Sequence, residues 1–187
     1  VVQIYVPDCE GDDVVSYIVR KQSISGNNSI IVSSDRDLYQ LIGEKVSQWS
    51  PGQKKLITVQ EVVGKFGIHP NNFCTARAFA GDKSDDIQGV KGAGLKTLAK
   101  RFPALKDPEF VPVEDILTKS MILQEQSPLK IYDQINNSSD LVRKNWKLMY
   151  LGDQNLSAFQ IMKIENALEQ FEKKREKLSF IRELMKF

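Results

Sequence analysis

The chain has 187 residues, of which 41% are hydrophobic and 27% are charged, with 26 basic against 24 acidic side chains. This composition supports a folded core and excludes a disordered chain. Because the net charge is close to zero, any electrostatic signal for a binding partner must come from a local group of charges. Its two cysteines lie far apart and no apolar run reaches 18 residues, which argues against a disulfide scaffold, a zinc site and a membrane span. We therefore expect a soluble cytoplasmic protein.

The first part of the chain alternates strands and helices. The apolar run 1–6 predicts a buried strand, and apolar spacing predicts a helix over 12–21. The run 29–34 predicts a strand covered on both faces, and a short helix is predicted over 35–42. Because strands and helices alternate, we predict an α/β fold with a parallel sheet. The chain begins inside an apolar run without a methionine, so we expect it to start partway through a longer protein.

A hairpin and then helices are predicted next. Pro51 and Gly52 fit the turn of a hairpin over 45–59, and Thr58 with Glu61 matches a capping box. The hairpin side chains expected to pack on the sheet are Val46, Trp49, Leu56 and Ile57.

The rest of the chain is predicted to be helical. One helix ends at Gly67, and a second begins at Pro70 and ends at Gly81. An amphipathic helix is predicted over the last thirty or so residues, with its apolar face formed by Ile161, Ile164, Leu168, Phe171, Leu178 and Ile181. We divide the chain into an α/β core of residues 1–81 and a helical region of residues 82–187.

Acidic side chains form three clusters. Each alone has a structural explanation, since helix N-termini favour carboxylates, an aspartate can cap a helix, and acidic loops are solvated. Loops at the carboxyl ends of parallel strands meet at one edge of a sheet, so folding can bring the clusters together. Cations must then offset the repulsion, and oxygen ligands without His or Cys indicate Mg²⁺ or Mn²⁺. The clusters are Glu10, Asp12 and Asp13; Asp35 and Asp37; and Asp82, Asp85 and Asp86.

A glycine-rich, basic segment follows the third cluster. Three glycines, Gly89, Gly92 and Gly94, allow a tight turn, and a helix over 95–102 can direct its first N–H groups at a phosphate. Residues 87–106 include five basic side chains and no acidic one. The pattern predicts a helix–hairpin–helix that binds a nucleic-acid backbone, and a plain glycine turn between packed helices is the alternative.

These blocks resemble those of the structure-specific 5′ nucleases, which include flap endonucleases, the 5′ nuclease domain of bacterial DNA polymerase, and phage enzymes called 5′ exonuclease or ribonuclease H. EGDDVV is similar to the family's Glu-Ala-Asp-Asp block and SSDRDLYQLI to its Asp-x-Asp block. FAGDKSDDIQGVKGAGLKTLAK is similar to its Gly-Asp-x-x-Asp segment and helix–three-turn–helix motif. The resemblance spans about residues 1–102. QWSPGQKK and the helical tail are most similar to the phage ribonuclease H branch.

The resemblance implies a PIN-like parallel-sheet core and a two-metal 5′-3′ exonuclease or flap endonuclease, with ribonuclease H-like activity, in DNA replication or repair. Two Mg²⁺ or Mn²⁺ ions would act on the phosphodiester, and a K⁺ ion would lie at the hairpin, although Gln88 and Lys91 stand where many relatives have proline. Asp86 falls where relatives often have Asn and is left out of the ligands. The implied catalytic and metal-binding residues are Glu10, Asp12 and Asp13 for one ion, and Asp35, Asp37, Asp82 and Asp85 for the other. The implied DNA-binding residues are Gly89, Val90, Lys91, Gly92, Gly94, Lys96 and Lys100.

The implied partners are DNA with 5′ ends or flaps, RNA–DNA hybrids, and replication proteins such as single-strand binding protein. We expect a monomer without membrane contact, located in the host cytoplasm if a phage encodes it. Relatives also have an earlier strand with a metal-ligating aspartate and a basic helical arch, so we expect this segment to be incomplete.

Three alternatives remain at this point: an inactive nuclease fragment, a non-catalytic helix–hairpin–helix DNA-binding module, and a partner-binding α/β domain. A Ser-His-Asp hydrolase is disfavoured, because His69 is the only histidine and has no acidic cluster nearby in sequence. We predict a surface or capping role for His69, and packing roles for Trp49 and Trp146.

Overall fold

The computed structural model describes residues 3–174. Two compact units make up the chain: one runs Val19–Tyr150, and the other contains the chain up to Ile18 and again from Leu151 onward. The boundary we predicted after residue 81 lies inside the first of these units. Within the described residues, no helix has both the length and the apolar character that crossing a membrane requires.

A three-stranded sheet lies in the Val19–Tyr150 unit. Its strands are β1 (Ser29–Val32), β2 (Val46–Ser50) and β3 (Lys55–Ile57), in the order β1-β2-β3. The β1–β2 pair is parallel and the β2–β3 pair is antiparallel. The predicted α/β class, the strand after the first helix and the hairpin are all confirmed.

One face of this sheet is buried and the other is exposed. Side chains alternate between the two faces of a strand, and Ile31 is buried while its neighbours Ile30 and Val32 are 63% and 68% exposed. Trp49 and Leu56, which lie opposite each other in the register, are also exposed. The prediction that β1 is covered on both faces, and that these two side chains are packed, is therefore wrong.

The strand predicted at the start of the chain is not formed in its described part. Residues 3–6 have no strand structure, while Val1 and Val2 lie outside the described residues. A strand needs a neighbour for its backbone N–H and C=O groups, and the described residues provide none here. Val6 instead packs in an apolar cluster with Leu156 and Ile164.

The unit that contains the chain termini is built on α1 (Gly11–Ile24), which begins in it, and on α8 (Ala158–Lys174). The Gln160 amide donates to the carbonyls of Pro7 and Asp8, at 3.0 and 2.9 Å. Tyr17 donates to Glu165 at 2.6 Å, and this bond, together with burial, raises the pKa of Tyr17 to about 12. The predicted apolar positions Ile161, Ile164 and Leu168 lie in the Val6 cluster, whereas the Phe171 side chain, Leu178 and Ile181 lie outside the described part.

Helices complete the Val19–Tyr150 unit, and α3 is its most buried element. Six of the eight α3 residues are buried, and Phe73 packs its ring against Tyr39 and Phe66 at centroid distances of 5.5 and 5.3 Å. This burial fixes α3 as the scaffold on which the site described below is built. The helices are α2 (Val59–Phe66), α3 (Phe73–Ala80), α4 (Leu95–Arg101), α5 (Val113–Gln126), α6 (Lys130–Asn136) and α7 (Ser139–Met149).

Two predicted caps have different outcomes. Thr58 is the N-cap residue of α2 but makes no side-chain capping bond, and the Glu61 carboxylate pairs with Lys55 at 2.5 Å instead of completing the capping box. The capping role of His69 is confirmed, since its Nδ1 accepts a hydrogen bond from the Asn71 N–H at 3.2 Å. Burial lowers the pKa of His69, which favours the neutral ring that this bond requires.

Candidate functional site

Three of the predicted acidic residues converge in the Val19–Tyr150 unit. Asp37 begins a 3₁₀ helix, Asp37–Leu41, shortly after β1, while Asp82 and Asp85 lie in the loop after α3. One carboxylate oxygen from each residue lies within 4.8 Å of the other two. Asp82 is buried, Asp37 is half-buried and Asp85 is exposed, so this acidic cluster opens to solvent on the Asp85 side.

A close backbone crossing holds the acidic loop in place. A Cβ on Gly81, whose φ is +72°, would lie 2.3 Å from the Gly89 nitrogen, and a Cβ on Gly89 would lie 2.1 Å from the Ala80 oxygen. Asp82 and Ile87 exchange two backbone hydrogen bonds, of 2.8 and 2.7 Å. Glycine is required on both sides of this crossing because no side chain fits there. Asp82 therefore leaves α3 in a fixed direction.

The Asp82 carboxylate is fully engaged by its surroundings. Its Oδ1 accepts from the backbone N–H of Ser84 at 2.8 Å and from the Ser84 hydroxyl at 2.5 Å. Its Oδ2 forms an ion pair with Arg77, which projects from α3. The same Arg77 nitrogen, Nη2, lies 2.7 Å from Asp37 Oδ1. One guanidinium thus bridges two of the three clustered carboxylates.

Sequence reasoning missed Arg77 because it belongs to no acidic or glycine motif. The available signal was its setting, FCTARAFA, in which it is the only charged residue of an otherwise buried helix. Buried charges are paired in folded proteins. A single arginine in such a helix therefore predicts an acidic partner.

Asp35 lies at the rim of the cluster. It is exposed, and its Oδ1 accepts from the Asp37 N–H at 2.9 Å in a local turn. The helix cap that we considered as an alternative for Asp35 is not formed, since Arg36 is the N-cap residue of the 3₁₀ helix. A cavity of about 290 Å³ lies beside it, lined by Ser34, Asp35, Arg36, Arg77, Asp82 and Ser84. Asp35 and Asp82 thus share one polar cavity.

Gln48 on β2 positions the loop that carries Asp35. This side chain is fully buried, and its Nε2 donates to the carbonyls of Ser33 and Asp35, at 2.9 and 2.6 Å. The residues after β1 are therefore tied to the centre of the sheet. A lone glutamine in a strand gives little sequence signal, and Gln48 was not among the predicted site residues.

Replacing Gln48 with Met, which has a similar volume and no donor, is expected to destabilise the protein by about 1–3 kcal/mol, because the two hydrogen bonds to the Ser33 and Asp35 carbonyls are lost. Urea unfolding measures this effect. Gln53→Met, on the exposed hairpin turn, is the matched control and is expected to change stability by less than about 0.5 kcal/mol. Equal effects of the two variants would contradict the positioning role of Gln48.

The first acidic cluster, Glu10, Asp12 and Asp13, lies in the other unit, around the start of α1. Asp12 and Asp13 are in the first turn of the helix, where its dipole favours carboxylates, and Glu10 is exposed. Asp13 accepts from the Asn155 amide at 2.9 Å. Burial, followed by the charges of Asp13 and Asp8, raises the pKa of the Cys9 thiol. The metal-binding role of these three acids stays a prediction.

The chemistry of the donor set, not cavity size, identifies the site. A larger cavity of about 430 Å³ lies elsewhere in the same unit, but Glu44 is the only acidic residue in its lining. Cys74, one turn before Arg77, is not a competing soft ligand, since burial above all raises the pKa of its thiol to about 12, with a smaller increase from Asp37 and an opposing effect of Arg77. The acidic cluster therefore offers oxygen ligands, which suit a hard divalent cation.

The predicted hairpin begins where the acidic loop ends. Gly92 has a φ of +85°, α4 begins at Leu95, and the side chains of Lys91, Lys96 and Lys100 are exposed. Val90 is an exception among the predicted DNA-binding residues. Its side chain is buried and its N–H donates to the Phe79 carbonyl at 2.8 Å, so that N–H is not available to a phosphate.

Asn145 on α7 binds the backbone on both sides of the acidic loop that carries Asp82 and Asp85. The buried Asn145 amide donates to the Ala78 carbonyl at 2.9 Å and to the Gln88 carbonyl at 2.8 Å. Asp86, which we left out of the ligands, has a φ of +56° and serves the turn through its backbone. Both observations give residues near the acidic cluster a structural role.

Known proteins resemble this chain in sequence. Residues 1–67 match the family described as 5′-3′ exonuclease, N-terminal resolvase-like domain. The chain is 41% identical over 96 residues to the thermostable DNA polymerase I of Thermus thermophilus, covering 51% of this chain and 11% of the polymerase. It is 33% identical over 138 residues to a 5′-3′ exonuclease of Aquifex aeolicus, covering 74% of this chain and 46% of that protein. The chain thus spans less than half the length of either relative.

The fold also resembles a solved structure. The flap endonuclease of bacteriophage T5, in a pseudo-enzyme-product complex with DNA and metal ions, superposes with a TM-score of 0.68 at 22% identity. The superposition covers 86% of this chain and 59% of the T5 protein. The profile match and the sequence relatives therefore identify the 5′-3′ exonucleases as the family that this chain resembles, and the T5 structure shares its fold.

Proposed function

We propose that this chain is part of a divalent-metal-dependent 5′ nuclease that hydrolyses phosphodiesters at 5′ ends, flaps or RNA primers during DNA replication or repair. The observation that carries the proposal is the convergence of Asp37, Asp82 and Asp85, of which the first two share the Arg77 guanidinium. Support also comes from the Aquifex relative, which is named a 5′-3′ exonuclease, and from the T5 flap endonuclease structure, which is a complex with DNA and metal ions.

We propose Mg²⁺ or Mn²⁺ as the natural cation. A bound divalent cation supplies Lewis-acid stabilisation of a phosphoryl oxygen and makes a bound water more acidic. The donor set fits such an ion, since it is made of carboxylate oxygens and already holds a positive group between two of them. Ser84 and the Gly81–Gly89 crossing orient Asp82, and Gln48 orients the Asp35 loop. The proposed ligands of one ion are Asp35, Asp37, Asp82 and Asp85, and those of a second ion are Glu10, Asp12 and Asp13.

For the nucleic acid we propose contacts from the hairpin and α4. Lys91, Lys96 and Lys100 are exposed, and residues 87–106 include no acidic side chain, so a phosphate backbone meets positive charge along this segment. The backbone of Gly89, Gly92 and Gly94 is the proposed site of close approach and of a K⁺ ion. We further propose membership in the phage ribonuclease H branch, a monomeric state, a cytoplasmic location and contact with single-strand binding protein.

Replacing Lys96 or Lys100 with Ala is expected to weaken binding to a duplex with a 5′ flap and to reduce the slope of log K against log salt by about 1 for each lysine. Fluorescence anisotropy at several salt concentrations measures both quantities, in EDTA so that the substrate stays intact. Lys119→Ala, on α5, is the control and is expected to leave the slope unchanged. An unchanged slope in the Lys96 and Lys100 variants would place the DNA elsewhere.

A cleavage assay tests the proposed activity. The chain is incubated with a 5′-labelled flap, a nicked duplex and an RNA–DNA hybrid, each with Mg²⁺ and with EDTA, and the assay is repeated with Asp35→Asn. Cleavage that needs Mg²⁺ and is lost in the variant supports the nuclease. DNA binding that is indifferent to Mn²⁺, without cleavage, supports a non-catalytic DNA-binding module. Binding of both Mn²⁺ and DNA without cleavage identifies the segment as an inactive part of the nuclease.

A further inference from the structure

The contacts of Arg77 within the acidic cluster differ from those of an ordinary structural ion pair. A buried arginine usually binds one carboxylate through two parallel N–H donors. Here one nitrogen, Nη2, contacts both Asp37 Oδ1 and Asp82 Oδ2, while the buried Nε has no hydrogen-bond partner within the described part of the chain. The guanidinium is therefore arranged around the two carboxylates and leaves one of its own donors unsatisfied.

The side chains involved are largely withdrawn from solvent. The exposed fractions are 12% for Arg77, 19% for Asp37 and 9% for Asp82. In such an environment, two carboxylates whose oxygens approach within 4.8 Å repel each other more strongly than in water. Removal of one member of a buried ion pair leaves an uncompensated charge, which is costly. Without a bound cation, Arg77 is thus the group that keeps Asp37 and Asp82 together.

We propose that Arg77 is an internal counter-ion that occupies the position of the divalent cation, and that it must give up at least one of its two carboxylates when the cation binds. The inference rests on the proposed metal site. Arg77 is then a positioning residue and not a catalytic one. It holds the two aspartates in a geometry that a cation can use, and it lowers cation affinity because the two positive groups compete for the same oxygens.

The exchange has a thermodynamic signature. Loss of the Arg77 charge raises the free energy of the cation-free protein, while the cation-bound protein loses a repulsive neighbour. Mn²⁺ should then bind more tightly. It should also raise the melting temperature further, because stabilisation by a ligand increases with the logarithm of its affinity. If the role of Arg77 were purely structural, its replacement would lower the melting temperature equally with and without Mn²⁺.

The test compares Mn²⁺ binding by the full 187-residue chain and its variants. Calorimetry and the electron paramagnetic resonance signal of free Mn²⁺ both measure this binding. Arg77→Gln is expected to bind Mn²⁺ about tenfold more tightly than the unaltered chain. Arg77→Lys keeps the charge but not the bridging geometry. Its Mn²⁺ affinity is expected to lie between those of Arg77→Gln and the unaltered chain. Arg143→Gln removes the same charge from an exposed pair with Glu114 and is expected to match the unaltered chain.

Melting in EDTA and in Mn²⁺ provides the second measurement. Arg77→Gln should melt lower than the unaltered chain in EDTA and gain more from Mn²⁺. If Arg77→Gln binds Mn²⁺ as tightly as the unaltered chain, or more weakly, the proposed exchange of Arg77 for the cation is wrong. If that variant does not fold in EDTA, Arg77→Lys decides by the same comparison. Failure of the unaltered chain to bind Mn²⁺, or equally tight binding by Asp82→Asn, is a failure of the metal site itself and not of the role assigned to Arg77.

Discussion

Asp82→Asn is expected to reduce metal-dependent cleavage by a factor of about 10³ or more, equivalent to roughly 4 kcal/mol of transition-state stabilisation. Asp82 is the buried member of the acidic cluster, and both of its oxygens already accept from fixed donors. An asparagine there loses the negative charge. It must also turn its own NH₂ group toward either the Ser84 N–H or Arg77, where donor faces donor.

Two measurements separate this effect from damage to the fold. Mn²⁺ binding should be lost together with cleavage, while the circular dichroism spectrum stays unchanged. Asp86→Asn is the matched control, because it makes the same chemical change in the same loop at a left-handed position that asparagine accepts. We expect near-normal cleavage from this control. An active Asp82→Asn protein would rule out the acidic cluster as the reaction centre.

Gly89→Ala is expected to destabilise the protein by about 3 kcal/mol or more, which lowers the melting temperature by roughly 6–12 °C. The added Cβ would lie 2.1 Å from the Ala80 oxygen and 2.3 Å from the Ala80 carbonyl carbon. Both are backbone atoms at the end of a buried helix, so the clash cannot be relieved by turning a side chain. We expect the acidic loop to be displaced and Mn²⁺ affinity to fall as well.

Gly64→Ala is the matched control for this substitution. Gly64 lies inside α2, and nothing is within 4 Å of a Cβ built on it. Because alanine is the better helix former, this change should stabilise the protein by about 0.5–1 kcal/mol. If the backbone crossing is as tight as the distances indicate, calorimetry will show a lower melting temperature for Gly89→Ala and a higher one for Gly64→Ala. A Gly89→Ala protein that melts like the unaltered chain would disprove it.

The sequence was most informative where a local pattern carries its own physical reason. Asp37 and Asp82 were predicted from their positions after a strand and after a helix, and the turn at Pro51 followed from turn chemistry. These features depend on neighbours in sequence. They were therefore accessible from the sequence, although only the structure shows that Asp37, Asp82 and Asp85 meet.

Features that depend on distant partners were not accessible. Arg77 contacts Asp37, 40 positions away, as well as the nearby Asp82, and its setting predicts an acidic partner without showing which one. Asn145 contacts Ala78, 67 positions away, and stands in no pattern that predicts a partner. Glu61 was assigned to a cap because the spacing from Thr58 fits, yet the competing charge on Lys55 takes it. The exposed face of β1 was predicted to be buried, since periodicity alone cannot show which neighbours cover a strand.

The position of Asn145 has a consequence for the order in which the chain folds. Its amide closes contacts across 67 and 57 residues, and closing such long loops costs entropy that local contacts do not repay. Domains that depend on contacts of this range fold more slowly than domains held together by local contacts. A nascent chain therefore carries the acidic residues before it carries the α7 residue that ties down the loop between them, since Asn145 is made 57 residues after Gln88.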